Sequence, residues 1–189
     1  ENGSEIFLFD YRGYGENAGT PSEEAIAEDM RTIWNWLTTE QGIPPEEIVV
    51  YGQSLGGGVA VRLVSDLAAE QISPGGLLLV STFSSMVDAA SNRFPWLPVS
   101  LLLQDRFPSE DRIGKITCPI LHIHGARDRI VPIGLGEKLF ARAPKGSRNK
   151  VERKFVTLPL AGHNDILQSS REAFRAAALE FLAQVGRGE

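Results

Sequence analysis

The chain has 189 residues, of which 42% are hydrophobic and 23% charged, ordinary values for one soluble globular domain. The formal net charge of -5 argues against a nucleic-acid partner, because phosphate binding needs clustered lysine and arginine side chains. The single cysteine, Cys118, excludes an intrachain disulfide, and no apolar run is long enough to span a membrane. Cys118 stands before a proline at the start of an apolar run, which favours a packing role.

Short apolar runs alternate with segments of helical periodicity along the chain. The runs predict strands buried on both faces. In chain order, these strands are Ile6–Phe9, Ile48–Tyr51, Gly76–Val80, Pro119–Gly125 and Lys154–Leu158. The helices are predicted after Thr20, after Ser54, at Ile133–Ala143 and at Ser169–Val185. This alternation predicts an α/β layered fold with a mostly parallel sheet, in a single domain over residues 1–189.

The first helix carries a clear start signal in its sequence. Thr20 is the expected N-cap, Pro21 suits the first helical position, and Glu23 completes a capping box. Gly42 and the two prolines that follow it indicate where the helix ends.

Residues 92–107 are irregular and apolar, and they predict a small cap because they are too few for a domain. Phe94, Trp96 and Leu97 are followed by three consecutive leucines, more apolar surface than an exposed loop usually shows. We therefore expect an apolar pocket bordered by Phe83, Met86 and this segment. The alternative is that these residues only cover the sheet, since scattered apolar residues on a surface are normal.

The sequence Gly52-Gln53-Ser54-Leu55-Gly56 joins a predicted strand to a predicted helix. A Gly-x-Ser-x-Gly turn in that context is typical of a nucleophile elbow, in which a strained turn exposes the serine oxygen. We expect Gly52 and Gly56 to lie where a Cβ would collide with a neighbour. The N-terminus of the following helix would favour a developing oxyanion near Ser54.

A serine nucleophile needs a base, and the chain has three histidines to supply one. His163 lies in a polar turn after the last strand, whereas His122 and His124 lie within a strand and are expected to pack in the core. Asp128 follows the same strand and is the expected carboxylate partner of His163. Asp165 is the competing carboxylate, but its position favours capping of the last helix.

Four motifs in this order resemble the α/β-hydrolase superfamily, over nearly the whole chain. They are Phe9-Asp10-Tyr11-Arg12-Gly13-Tyr14-Gly15, Gly52-Gln53-Ser54-Leu55-Gly56-Gly57, His124-Gly125-Ala126-Arg127-Asp128 and Gly162-His163-Asn164-Asp165. The most similar branch holds compact serine hydrolases, including protein depalmitoylases and bacterial members without an assigned function.

The resemblance implies specific roles for four residues of this chain. Ser54 would be the nucleophile, His163 the base, Asp128 the residue that orients it, and the N–H of Leu55 an oxyanion donor. The resemblance also implies a small-molecule or acyl-protein ester or thioester as substrate, with no metal or organic cofactor. The oligomeric state and the compartment stay open.

The sequence departs from the family pattern at its N-terminal end. The family has further strands before the first one here, and a loop that gives a second oxyanion N–H. We therefore expect an N-terminally truncated hydrolase with little activity, in which Ile6–Phe9 either stands one strand away from Ile48–Tyr51 or pairs with it. The alternatives are a serine peptidase of the same fold and a catalytically impaired interaction protein on a hydrolase scaffold.

Overall fold

The chain folds into a parallel four-stranded sheet with helices on both faces. A computed structural model describes residues 3–186. The strands are β1 Val49–Gln53, β2 Gly76–Val80, β3 Ile120–Gly125 and β4 Lys154–Leu158. They lie side by side in chain order, and every neighbouring pair is parallel. The predicted α/β class and mostly parallel sheet are therefore confirmed.

Eight α-helices connect and cover these strands in the described part of the chain. They are α1 Glu23–Asn35, α2 Leu55–Ala69, α3 Met86–Arg93, α4 Val99–Leu102, α5 Ser109–Arg112, α6 Ile133–Arg142, α7 Ile166–Ser169 and α8 Arg171–Val185. One turn of π-helix, Trp36–Glu40, continues α1. Within residues 3–186, no helix is both long enough and apolar enough to cross a bilayer.

The central strands β2 and β3 are buried along their whole length, as the unbroken apolar sequence of β2 predicts. Leu77 and Leu79 of β2 pack in a core with α2 and α6, while Leu78 and Val80 pack in a second core with α8. Cys118 is buried in the first core, so its predicted packing role is confirmed. Burial of each such side chain stabilises the fold by about 1.5–3 kcal/mol.

The predicted N-cap of the first helix is wrong by two residues. Ser22, not Thr20, precedes α1, and its hydroxyl accepts a hydrogen bond from the N–H of Ala25 at 3.1 Å. Glu23 does not complete a capping box, because its carboxylate accepts hydrogen bonds from the backbone N–H groups of Arg106 and Phe107. A long-range partner has therefore replaced the local one.

The predicted strand over residues 6–9 is also wrong. Ile6 and Leu8 are 85% and 84% exposed. Residues 6–9 take no part in the sheet, and within residues 3–186 its edge strand on this side is β1. Their aromatic members contact other rings instead: Phe7 lies 5.3 Å from Trp36 between ring centroids. Pairing with β1, one of the two expected outcomes, is not observed.

Residues 86–112 form three short helices that are fastened to the start of α1. The N–H of Glu23 donates to the carboxylate of Asp105 at 2.8 Å, while the Glu23 carboxylate receives the two N–H groups named above. The N–H of Met86 donates to the carbonyl of Arg106 at 2.8 Å and closes the base of the segment. The C-terminal end of the segment predicted as a cap, residues 92–107, is thus bonded both to the start of α1 and to Met86 at the start of α3.

Candidate active site

The turn between β1 and α2 holds Ser54 in a strained backbone conformation. Its φ of 52° and ψ of -120° are values that non-glycine residues rarely adopt. The Ser54 N–H donates to the carbonyl of Val80 at 2.9 Å. The Ser54 carbonyl accepts from the N–H of Gly57 at 3.0 Å and from the Thr82 hydroxyl at 2.7 Å. These bonds fix the turn that presents the serine hydroxyl.

Close contacts require two glycines of the elbow, Gly52 and Gly57. The motif predicted Gly52 correctly, but its second glycine, Gly56, is not one of them. A Cβ on Gly52 would lie 2.7 Å from the Cα of Gly57 and 2.8 Å from the Cβ of Ala60. A Cβ on Gly57 would collide with the side chain of Thr82. Gly56 faces open space, so the expected collision there is wrong. Gly52 and Gly57 allow α2 to approach β1 and the loop after β2.

The loops after β3 and β4 are joined to each other by backbone hydrogen bonds. The N–H of Ala126 donates to the carbonyl of Leu158, and the N–H of Arg127 donates to the carbonyl of Ala161, both at 2.9 Å. These bonds bring the turn that carries Asp128 against the turn that carries His163.

Asp165 occupies the N-cap position of α7, but its side chain closes the His163 turn. Its carboxylate accepts from the N–H of Gly162 at 2.6 Å, and it makes no side-chain capping bond to α7, which it precedes. The expectation that Asp165 caps the last helical region is therefore confirmed for its position, but its side chain does not cap the helix. Its carboxylate is occupied within its own turn.

Ser54, His163 and Asp128 meet at the carboxyl edge of the sheet, although up to 109 positions separate them in the chain. His163 Nε2 lies 3.0 Å from Ser54 Oγ, and His163 Nδ1 lies 2.7 Å from Asp128 Oδ2. A carboxylate only accepts hydrogen bonds, so the neutral ring carries its proton on Nδ1 and offers Nε2 to the serine hydroxyl. A base and its orienting acid would need this arrangement.

Asp128 is held as a carboxylate by its neighbours. Its Oδ1 accepts from the N–H groups of Ile130 and Val131, at 2.9 Å and 2.8 Å. Burial alone would raise the pKa of Asp128, but the hydrogen bond from His163 and these two backbone bonds bring it below its ordinary value. The carboxylate therefore stays ionised where it faces the imidazole.

Leu55 is the first residue of α2, directly after the serine. The first N–H groups of a helix have no partner within it, so the Leu55 N–H and the positive end of the helix dipole lie beside Ser54. The role of the Leu55 N–H as an oxyanion donor stays a prediction. In the described residues, no group of three or more His, Cys, Asp or Glu side chains is arranged to hold a metal ion.

The residues predicted to border an acyl pocket fall into two groups. Phe83 is buried and Met86 half-buried in one apolar cluster, which also contains Val59 and Phe107. Phe94 and Trp96 are exposed, with their rings 6.5 Å apart, and Leu97 is half-buried. Two open cavities of about 300 Å³ and 410 Å³ are lined by neither group nor by Ser54.

Thr82 is a part of the site that sequence reasoning missed. It is fully buried, lies two residues after the end of β2, and its hydroxyl donates a hydrogen bond to the Ser54 carbonyl. Its position in the sequence could have indicated this role. A polar residue just after the carboxyl end of a central parallel strand lies at the edge where such sheets bind ligands.

His122 and His124 are both completely buried on β3, as predicted for core histidines. Burial, the main cause, lowers the pKa of each ring below its ordinary value. Both imidazoles are therefore neutral near pH 7.

Comparisons with known proteins identify the family. A family model described as serine aminopeptidase, S33, matches residues 1–106, more than half of the chain. The chain belongs to this family of the α/β-hydrolase superfamily. A Mycobacterium tuberculosis protein described as uncharacterized is 42% identical over 163 residues, which cover 86% of this chain and 54% of that protein.

Further relatives agree with this assignment. The lysophosphatidylserine lipase ABHD12 of Danio rerio is 32% identical over 151 residues, covering 73% of this chain and 39% of the lipase. The crystal structure of an α/β hydrolase from Vibrio vulnificus superposes with a TM-score of 0.73 at 26% identity, over 93% of this chain and 61% of that one. This chain spans about half the length of the curated relatives it matches.

Proposed function

We propose that this α/β-hydrolase cleaves carboxylic esters or thioesters through an acyl-enzyme on Ser54. The observation that carries the proposal is the continuous chain of short contacts from Ser54 Oγ through the two nitrogens of His163 to Asp128. A nucleophile and a base in hydrogen-bond reach, with the base oriented by a third group, are the usual signature of covalent catalysis. The name of the ABHD12 relative, lysophosphatidylserine lipase, favours an ester substrate.

In the first half of the reaction, Ser54 Oγ attacks the acyl carbon while His163 Nε2 takes the hydroxyl proton. The oxyanion that forms accepts a hydrogen bond from the Leu55 N–H at the start of α2. Asp128 stabilises the imidazolium, which then gives its proton to the departing oxygen or sulfur. The bond to the leaving group breaks and leaves the acyl group on Ser54.

In the second half, His163 Nε2 takes a proton from water, and the resulting hydroxide attacks the acyl carbon. The Ser54 oxygen leaves, recovers its proton from His163, and the carboxylic acid is released. Each step uses only the proton that Nε2 can hold, because Nδ1 remains bonded to Asp128.

We also propose that residues 92–107 form a small cap that binds the acyl chain. Phe94 and Trp96, together with Leu101 and Leu102, are exposed and apolar in this segment. An apolar surface of this kind suits the hydrocarbon part of a substrate more than it suits water.

A second candidate is peptide hydrolysis from the amino end, which the description of the family model favours. The same residues would act, with an amine as the leaving group. Parallel assays with an activated ester, a thioester and an aminoacyl anilide of the same acyl group separate these substrate classes by their kcat/KM values.

The decisive experiment is labelling with a fluorophosphonate probe, followed by mass spectrometry of the labelled peptide. We expect Ser54 to be modified in the unaltered chain and in Ser91→Ala, which removes an exposed serine of α3 as a matched control. Ser54→Ala should abolish labelling and lower ester turnover by several orders of magnitude, since triad members act as a unit. An unlabelled Ser54, or a Ser54→Ala variant with near-normal turnover, would favour the non-catalytic interaction protein or a different nucleophile.

A further inference from the structure

His124 lies on β3 directly behind the carboxylate of Asp128. Its Nε2 is 2.9 Å from the carbonyl oxygen of Val131 and 3.6 Å from Asp128 Oδ2. A carbonyl oxygen only accepts hydrogen bonds, so Nε2 carries the proton of the neutral ring. His124 therefore directs one N–H toward the Val131 carbonyl, beside the carboxylate oxygen that receives His163.

This assignment fixes the proton of His122 as well. His124 Nδ1 is unprotonated and lies 3.3 Å from His122 Nε2, so His122 donates to it. The remaining atom of that ring, His122 Nδ1, is buried and has no hydrogen-bond partner within the described residues. A buried acceptor without a partner destabilises a fold, so packing alone would favour an apolar side chain at the position of His122.

The two rings are also locked in place by their neighbours. A Cβ on Gly136 of α6 would lie 2.9 Å from His124 Cε1 and 3.1 Å from His122 Cε1, so only glycine lets α6 pack this closely. The ring of Phe155 on β4 is centred 4.8 Å from that of His122. His124 thus has a fixed direction for its Nε2 proton.

The Val131 peptide links His124 to the triad carboxylate. Its N–H donates to Asp128 Oδ1 at 2.8 Å, while its carbonyl receives His124 Nε2. The turn from Asp128 to Val131 is therefore bonded on its buried side to the His124 ring of β3 and on its other side to His163.

We propose that His124 is a positioning residue that holds the Asp128–Val131 turn and thereby orients the carboxylate toward His163. The catalytic consequence rests on the proposed function, but the positioning itself is a property of the unreacted chain. The charged or titratable groups that act on His124 are Asp128 in its own turn, Glu137 on α6, and His163 after β4. His122 contacts the far side of the His124 ring, so it cannot take the place of His124 beside Asp128.

Proton and nitrogen NMR of the 189-residue chain tests this directly. We expect a far-downfield signal from the His163 Nδ1 proton, protected from exchange by its bond to Asp128. His124→Phe should remove or broadly exchange that signal, whereas His124→Gln should keep it, because the amide nitrogen can donate to Val131. His122→Phe, which deletes an equally buried imidazole, is the matched control and should also keep it.

Activity provides a second measurement. His124→Phe should lower kcat on an activated ester by about 10–100-fold, the usual effect of losing a group that orients a functional side chain, with KM nearly unchanged. His124→Gln should recover most of the loss, and His122→Phe should differ little from the unaltered chain.

Three outcomes would overturn the proposal: an intact His163 signal in a folded His124→Phe variant, equal losses in His124→Phe and His122→Phe, or a His124 proton found on Nδ1 in the unaltered chain. The last result needs no variant and decides the matter if His124→Phe fails to fold. Failure of the proposed function looks different, because the NMR pattern would appear as expected in a chain that neither reacts with fluorophosphonate nor turns over ester.

Discussion

The buried histidines predict how the stability of the chain depends on pH. The pKa of His122 lies well below its ordinary value of 6.5, chiefly because the ring is buried. In the unfolded chain the same ring is protonated below about pH 6.5. The unfolded state therefore binds more protons than the folded state, and stability falls as the pH drops through 6.5 toward the lower folded value.

The size of the effect follows from linkage. If the ring stays neutral in the folded chain, the free energy of unfolding falls by about 1.4 kcal/mol between about pH 7.5 and 5.5. This follows because one pKa unit is worth about 1.36 kcal/mol. His124, whose pKa burial also lowers, adds a further contribution of the same sign. We expect His122→Phe to flatten the pH dependence by about 1.4 kcal/mol over this range.

Urea unfolding at the two pH values, followed by the fluorescence of the buried Trp34 and by circular dichroism, measures this difference. Staying above about pH 5 keeps carboxylates ionised in both states, including those whose pKa is lowered, such as Asp128. Ser91→Ala should follow the unaltered chain. If His122→Phe loses as much stability on acidification as the unaltered chain does, the ring is not a buried neutral imidazole and the reasoning is wrong.

Three further predictions concern the elbow, the acyl chain and the cysteine. Gly52→Ala and Gly57→Ala should each lower the free energy of unfolding by about 1–3 kcal/mol through overpacking, whereas Gly56→Ala, which faces open space, should be neutral or stabilising in urea unfolding. Each added methylene in a p-nitrophenyl ester should raise kcat/KM by at most about fourfold, from about 0.8 kcal/mol per group, and a strict preference for acetyl esters would contradict an apolar acyl site. Burial raises the pKa of Cys118 to about 12, so a thiol reagent near neutral pH should react only as fast as the chain unfolds.

The strands of the sheet could be predicted because each contains a short, mostly apolar run, although histidines interrupt β3 and Lys154 and Thr157 interrupt β4. The predicted limits Gly76–Val80 and Lys154–Leu158 are those of β2 and β4. Strands that are buried on both faces need no alternation, so a short apolar run between turn signals is a sufficient indication.

The meeting of Ser54, Asp128 and His163 could also be predicted, because it depends on topology more than on detail. Parallel strands bring their carboxyl ends to one edge, and each of these residues follows such an end. The contacts of Thr82 and His124 could not be predicted, since they depend on which atoms of neighbouring loops come within about 3 Å. No local pattern in the sequence encodes that distance.

The wrong prediction of a strand at residues 6–9 has a different cause: the local pattern was present, but the partner strand was not. An apolar run reports that side chains avoid water, but a strand also needs a partner for its backbone N–H and C=O groups. Ile6, Phe7 and Leu8 have the composition of a strand, yet β1 offers them no pairing, and Phe7 packs on Trp36 instead. The same logic explains Glu23, whose local role as a cap is lost to two backbone N–H groups more than 80 positions away. Local sequence predicts a conformation reliably only where the tertiary partner it requires is present.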